Sequence, residues 1–272
     1  MKFNSSLAWQ QASAAVSANR AVLLPMAGVF FLLPRLLLSL VIPEPPVNQG
    51  ASPDVMMAQM QQFYIQLLPW VIPMMLFQAT GTLGMLTLFT DRSRPTVGEA
   101  IKLGAKGVFP YLLAQILFGM GIALSLGLVL GAAGMILRAI APVTLVAAAG
   151  FVLFIVAYIR IVLVAPVVAV ERVYNPVAAL KRSWMLTRGN TGRLALFLGL
   201  IVLVVLVALG ASVGILGSLV SVMGGAEWGK IASAAITSAL SAVMMVYLAA
   251  VLAAIHRQLA GPSAADLSST FE

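Results

Sequence analysis

Six long apolar runs, nearly free of charged side chains, dominate this sequence. Each is about as long as the roughly 20 residues that a helix needs to cross the hydrocarbon core of a bilayer. Inside that core the backbone must satisfy its own hydrogen bonds, so such runs are expected to be helices. They predict an all-α, polytopic membrane bundle of six transmembrane helices. We place the spans near 21–42, 65–90, 107–134, 143–169, 193–222 and 230–255, in a single integral membrane domain, 1–272.

The composition excludes the usual soluble classes of protein. Hydrophobic residues make up 61% of the chain and charged residues only 9%, whereas about a quarter of a soluble domain is charged. The net charge is +8, but the basic residues lie in short loops beside the apolar runs. This placement indicates anionic lipid headgroups as the partner and not nucleic acid.

Both termini are expected to be cytoplasmic, because most Lys and Arg residues lie on one side of this topology. The membrane is expected to be a bacterial inner membrane. The opposite loops carry only Arg138 and Lys230. The basic residues on the inner side are Lys2, Arg20, Arg92, Arg94, Lys102, Lys106, Arg172, Lys181, Arg182, Arg188, Arg193 and Arg257.

Each odd-numbered span is preceded by the signal for a short interfacial amphipathic helix. These helices are predicted near 7–18, 97–103 and 176–188. Ser5 or Ser6 is a candidate cap of the first. The second opens at a capping box of Thr96 and Glu99 and is expected to end at Gly104, and the third lies between Asn175 and Gly189. The chain is thus predicted to contain three degenerate helix-span-span repeats.

The third interfacial helix is the most informative segment for function. On a helical wheel its basic residues occupy one side and its apolar residues the other, as in helices that lie in the headgroup region. One interpretation is a helix that only sets topology and packs. The alternative is recognition of a lipid phosphate or docking of a partner, with Lys181, Arg182, Arg188 and Trp184 as candidate headgroup contacts.

The same helix carries a resemblance to a known family. Residues Ala179 to Trp184, with Leu186, Thr187, Arg188 and Gly189, resemble a stretch that precedes a late span in the glycerophosphoryl diester phosphodiesterase membrane domain and in related YciC-like inner-membrane proteins. The resemblance implies a membrane module only. In fused members a separate soluble domain performs the hydrolysis, and with one histidine in the sequence we do not expect that domain here.

Two GxxxG motifs are candidate sites of helix packing. Removal of side chains four residues apart lets two helix backbones approach closely. The contact can lie inside the bundle or at the seam of a homo-oligomer. The four glycines are Gly127, Gly131, Gly210 and Gly214.

Catalytic chemistry has no clear basis in this sequence. Its eight carboxylates lie outside the predicted spans, without metal-ligand or acid–base spacing, and cysteine is absent. We therefore expect no enzyme activity, no cofactor and no metal site, and we interpret His256 as an interfacial residue. Arg35 is the one deep charge: its stem can reach outward to the headgroups, or the residue can face a polar cavity.

The sequence features are compatible with three functions. We expect a non-catalytic inner-membrane protein that organises lipids, partner proteins or a homo-oligomer through its basic interfacial helices. The first alternative is a transporter or channel for a lipid or small amphiphile, with Arg35 facing its cavity. The second is the membrane subunit of a separately encoded phosphodiester-processing enzyme.

Overall fold

Eleven α-helical segments make up nearly all the residues that the computed structural model describes, namely 2–42, 52–90, 95–136 and 143–261. No strand occurs in these ranges. Two π-helical turns interrupt the helices, Gly28–Leu32 after α2 and Val213–Gly217 after α9. The segments are α1 (Ser5–Ala18), α2 (Arg20–Ala27), α3 (Leu33–Val41), α4 (Pro53–Thr90), α5 (Val97–Ile136), α6 (Val143–Ile161), α7 (Val164–Val170), α8 (Pro176–Thr187), α9 (Thr191–Ser212), α10 (Ser218–Gly224) and α11 (Ala226–Ala260).

The prediction of six membrane-spanning helices is confirmed. Six helical units are long and apolar enough to cross a bilayer. Three are single helices, α4, α5 and α11, and three are composite: α2 with α3, α6 with α7, and α9 with α10. The largest error in the bounds is at α4, which begins at Pro53 and not near 65. Its first turns are rich in Met and Gln, which favour helix without being apolar enough to mark a span.

The separate interfacial helix predicted at 97–103 is wrong. The capping box is present, with the backbone N–H of Thr96 donating to Glu99 Oε2 at 2.8 Å, but α5 continues without a break to Ile136. Gly104 does not end the helix. A Cβ atom there would lie 2.6 Å from the backbone nitrogen of Gly84, so this glycine allows α4 and α5 to pack backbone against backbone.

The other two short helices are present, as α1 and α8. The cap of α1 is Asn4 and not Ser5 or Ser6, because the Asn4 Oδ1 atom accepts the N–H of Leu7 at 3.1 Å. Asn175 caps α8 in the same way. Each capping asparagine is followed 15 positions later by a second asparagine, Asn19 after Asn4 and Asn190 after Asn175. The first and third repeats therefore share a helix-and-turn unit that the second has merged into its span.

The hydrophobic core is concentrated at one end of the bundle, the end that carries α1, α8 and the last turns of α11. We term it the basic end, and the opposite one the far end. Leu83, Val167, Leu194 and Ile255 are all buried in this core. Toward the far end α5 and α9 expose large apolar side chains, such as Leu128. Because water would not tolerate so much apolar surface, these faces contact lipid.

Candidate functional site at the basic end

The fourth span is broken between α6 and α7, and the break creates the site where α8 binds. Pro166 in the first turn of α7 has no N–H, and its ring would collide with the carbonyl group four residues earlier. The helix therefore stops at Ile161 and restarts at Val164. A break of this kind inside a membrane protein leaves backbone groups that need partners.

Ser183 and Thr187 of α8 supply those partners. The Ser183 hydroxyl donates to the carbonyl oxygen of Arg160 at 2.9 Å and accepts the N–H of Leu163 at 3.2 Å. The Thr187 hydroxyl lies 3.2 Å from the same carbonyl oxygen. Both hydroxyl-bearing residues are fully buried. The Ser and Thr of the sequence motif thus close the break in the fourth span.

A second polar cluster ties α8 to the end of α11. Arg182 Nε donates to Glu171 Oε2 at 2.8 Å, and His256 Nε2 lies 2.9 Å from Glu171 Oε1. Burial alone would raise the pKa of the Glu171 carboxyl group, but the hydrogen bonds from His256 and Arg182 outweigh burial and lower that pKa to about 2. Glu171 therefore stays ionised and joins three helices.

This cluster gives two of the predicted residues a role inside the protein. His256, interpreted from the sequence as an interfacial residue, is only 3% exposed, and its ring faces Glu171. Arg182 pairs with Glu171 through Nε while 38% of its side chain is exposed, so its role as a headgroup contact stays a prediction. The sequence pattern concealed both facts, since neither partner lies within one helical turn of Glu171.

The burial of α8 agrees with one of the two interpretations of its sequence, a helix that packs against the bundle. Its small and apolar side, with Ala179 and Leu186, packs against the protein and not against lipid. The opposite face is exposed and carries Lys181 and Trp184 at positions i and i+3. Arg188 is also exposed, and it is the C-cap residue directly after the helix, with an extended backbone. We refer to Lys181, Trp184 and Arg188 as the α8 stripe.

Arg160 extends the α8 stripe from the end of α6. Its guanidinium carbon lies 5.2 Å from the centre of the Trp184 ring, within the range of a cation–π contact. Its Nε and Nη1 atoms are buried and have no hydrogen-bond acceptor in the part of the chain that the structure describes. Arg160 therefore lies over the indole ring of Trp184, and Lys181 and Arg188 are exposed on the same short segment, an arrangement that suits an anion at a membrane surface.

The remaining candidate residues are distributed over the bundle. Arg35 is exposed on α3. A cavity of about 840 Å³ lies at the far end, and the first span contributes Ser39 and Ile42 to its lining but not Arg35. The cavity role predicted for Arg35 is therefore wrong for this cavity, and an exposed position agrees with a side chain that reaches outward to the headgroups.

The two GxxxG motifs make no close contact inside the described chain. A Cβ atom added at any of the four glycines would meet no atom within 4 Å. Packing of these motifs within the bundle is therefore not seen among the described residues, and the seam between chains stays a prediction. The glycines concerned are Gly127, Gly131, Gly210 and Gly214.

The exposed groups of the site are suited to binding an anion. Within residues 2–42, 52–90, 95–136 and 143–261, no three His, Asp or Glu side chains are placed to hold a metal ion. Of the titratable pair, His256 is buried and Glu171 is partly exposed, and the two side chains face each other. The exposed groups of the site are cations and an indole ring, which attract anions and the membrane interface.

Fold and site together define a multi-pass helical membrane protein with a basic end. The model of a domain of unknown function, DUF7847, matches residues 6–259, and the chain belongs to that family. No curated protein and no solved structure matches it. The resemblance to the glycerophosphoryl diester phosphodiesterase membrane domain stays a prediction.

Proposed function

We propose that this protein is a non-catalytic inner-membrane protein that binds anionic lipid headgroups at its basic end, on the cytoplasmic side. The observation that carries the proposal is the α8 stripe. Its Lys181 and Arg188 point away from the bundle, while Ser183 and Thr187 hold the opposite side of α8 in the break of the fourth span. A stripe fixed in this way loses little entropy when it binds a headgroup.

The charge around the stripe supports the same proposal. The acidic residues described at this end are Glu99, which caps α5, and Glu171, which is paired. The surplus of cations favours association with an anionic surface by about 1 kcal/mol for each basic side chain near it. The exposed basic residues at this end are Lys2, Arg20, Lys102, Lys106, Arg172, Lys181, Arg188, Arg193 and Arg257.

The test compares two variants that remove the same charge from different helices. Lys181→Gln/Arg188→Gln removes two cations from the stripe, and Lys102→Gln/Lys106→Gln removes two from α5. Proteins are reconstituted in nanodiscs of equimolar phosphatidylglycerol and phosphatidylcholine, and the lipids retained on transfer to mild detergent are quantified by mass spectrometry. The stripe variant is expected to lower the preference for phosphatidylglycerol on the order of 30-fold, the factor for two contributions of about 1 kcal/mol. An equal effect of the α5 variant would refute a role specific to α8.

A second candidate function is passage of a lipid or small amphiphile, and the far-end cavity favours it. Serine side chains line this cavity together with Glu227 and Lys230, which gives a polar chamber beside apolar helix faces. Fluorescent phosphatidylglycerol in proteoliposomes measures the passage. Ala234→Phe, which fills part of the cavity, is expected to slow it. Equal rates with this variant, or with protein-free vesicles, would exclude the second function.

A further inference from the structure

A long apolar groove separates α9 from α11 in the half of the bundle nearest the basic end. It encloses about 460 Å³, a volume typical of sites that hold a small organic ligand. Trp9 of α1 and Tyr247 of α11, whose rings stack 5.8 Å apart, form part of its wall. Apart from the Trp and Tyr polar atoms, its lining side chains are hydrocarbon or thioether: Phe197, Leu200, Ile201, Val204, Val205, Ala208, Leu209, Leu240, Val243 and Met244.

A polar cavity adjoins the groove at the basic end. It encloses about 600 Å³, and Phe197 and Leu200 line both spaces. Its charged residues are Lys2 and Arg193, with Asn4 and Ser5 as polar neighbours, and no acidic side chain among the described residues lines it. The two spaces together have a cationic mouth and an apolar interior.

The mouth is held by contacts between parts of the chain that are distant in sequence. The N–H of Phe3 donates to Asn190 Oδ1 at 2.9 Å, and Arg193 Nη1 lies 3.5 Å from the Phe3 carbonyl oxygen. The Phe3 ring packs against Phe197 at 5.5 Å. Asn4 and Gln258 exchange two hydrogen bonds, one in each direction. The N-terminal segment is thereby fixed over the ends of α9 and α11.

The length of the groove fits one leaflet of a bilayer. From Phe197 to Leu209 the axis of α9 rises by about 18 Å, at about 1.5 Å per residue. Half of the roughly 30 Å hydrocarbon core is about 15 Å. An acyl chain that begins at the mouth would therefore run along the groove and end near the middle of the membrane.

We propose that this groove binds one anionic glycerophospholipid from the leaflet at the basic end. Lys2 and Arg193 contact its phosphate, and one acyl chain lies between α9 and α11. The charge of the mouth, the apolar wall and the length of one leaflet favour this occupant over a helix of a second copy. The inference rests on the proposed function in placing the basic end at an anionic surface, but it concerns a different set of residues from the α8 stripe.

The groove is tested by filling it. Ala208→Phe places a ring in the groove, whereas Val207→Phe changes the preceding residue, which is 63% exposed and does not line it. Native mass spectrometry counts the phosphatidylglycerol molecules that stay bound after nanodiscs are dissolved in mild detergent. The original protein and Val207→Phe are expected to retain one molecule more than Ala208→Phe and than Val243→Trp, which blocks the groove from α11. Equal counts in all four proteins would overturn the inference.

The mouth and the alternative occupant are tested separately. Lys2→Gln/Arg193→Gln is expected to reduce the preference of this one bound lipid for phosphatidylglycerol over phosphatidylcholine on the order of 30-fold, and an unchanged preference would count against the site. The chain has no cysteine, so Val204→Cys provides a single reporter in the groove. A disulfide-linked dimer formed through it would show a second copy in the groove and refute lipid occupancy.

The two lipid proposals fail in distinguishable ways. Lys181→Gln/Arg188→Gln is expected to lower the overall enrichment of phosphatidylglycerol and to leave the single groove lipid in place. Loss of the groove lipid in Ala208→Phe with no effect of the stripe variant would support the groove and refute the α8 stripe. The reverse pattern would support the stripe and refute the groove.

Discussion

The hydroxyl group of Ser183 and the carbonyl group of Arg160 share a hydrogen bond of 2.9 Å, although 23 residues separate them. The bond lies where Pro166 has broken the fourth span, and the same hydroxyl accepts the N–H of Leu163. A conspicuous polar residue of the sequence motif is thus explained by a backbone defect in a different helix. The motif functions first as an attachment of α8, and its exposed face is free to contact other molecules.

Ser183→Ala is expected to destabilise the protein, because it leaves the buried N–H of Leu163 and part of the Arg160 carbonyl without a partner. An unsatisfied buried group costs about 1–3 kcal/mol. The apparent unfolding temperature in detergent should fall by several degrees. Lys181→Ala, at an exposed position of the same helix, serves as the control and should leave that temperature unchanged. A shift of equal size in both variants would refute the attachment role.

Glu171→Gln is expected to weaken the contact between the end of α7, α8 and α11. The folded-state pKa of Glu171 is lowered to about 2, below the ordinary value of about 4.3. Its stabilising contribution is therefore complete above about pH 4.3 and is lost as the pH falls toward 2. At neutral pH the substitution should lower the free energy of unfolding by about 1–3 kcal/mol, as for a lost hydrogen bond to a charged group.

The pH dependence separates this role from simple loss of packing. The unfolding temperature of the original protein should fall on acidification from pH 5 to pH 3 by more than that of Glu171→Gln, whose amide does not titrate. Parallel pH profiles would show that Glu171 does not contribute through its charge. Glu227→Gln, which removes a carboxylate at the far end, is the matched control.

Hydropathy predicted the fold class and the number of spans because the bilayer imposes both on the sequence directly. Local capping signals predicted α8 and the Thr96–Glu99 box for a similar reason, since each depends on residues within four positions. The position of Gly104 inside α5, in close contact with α4, was not predictable in this way. Whether a glycine ends a helix or allows a neighbour to approach depends on Gly84, which belongs to another helix.

The candidate site was predicted only in part. Lys181 and Trp184 share the exposed face of α8, as their spacing allows, and Arg188 is exposed at its C-cap. Two further contacts depend on how the helices pack around α8. They are the ion pair of Arg182 with Glu171 and the cation–π contact of Arg160 with Trp184. A helical wheel describes one helix at a time, so it could not show which side the bundle would bury.

Two glycine substitutions test the packing of α5. Gly104→Ala should destabilise the bundle, because the new Cβ would lie 2.6 Å from a backbone atom of Gly84 and overpacking costs about 1–3 kcal/mol. Gly127→Ala meets no atom within 4 Å and should be neutral or slightly stabilising, since Ala favours helix. Thermal unfolding of both variants in the same detergent provides the comparison. Equal destabilisation would show that Gly127 makes a close contact, either within the chain or with a second copy.

The orientation of the bundle in the membrane is the last prediction. Lys181 on α8 and Glu227 at the start of α11 lie at opposite ends of the bundle, and the surplus of Lys and Arg at the first end predicts that it is cytoplasmic. Because the chain has no cysteine, Lys181→Cys and Glu227→Cys each create a single reactive thiol. A membrane-impermeant maleimide applied to spheroplasts should label the Glu227→Cys protein at once and the Lys181→Cys protein only after lysis. The opposite order would place the α8 stripe on the outer surface and remove the basis for a cytoplasmic headgroup site.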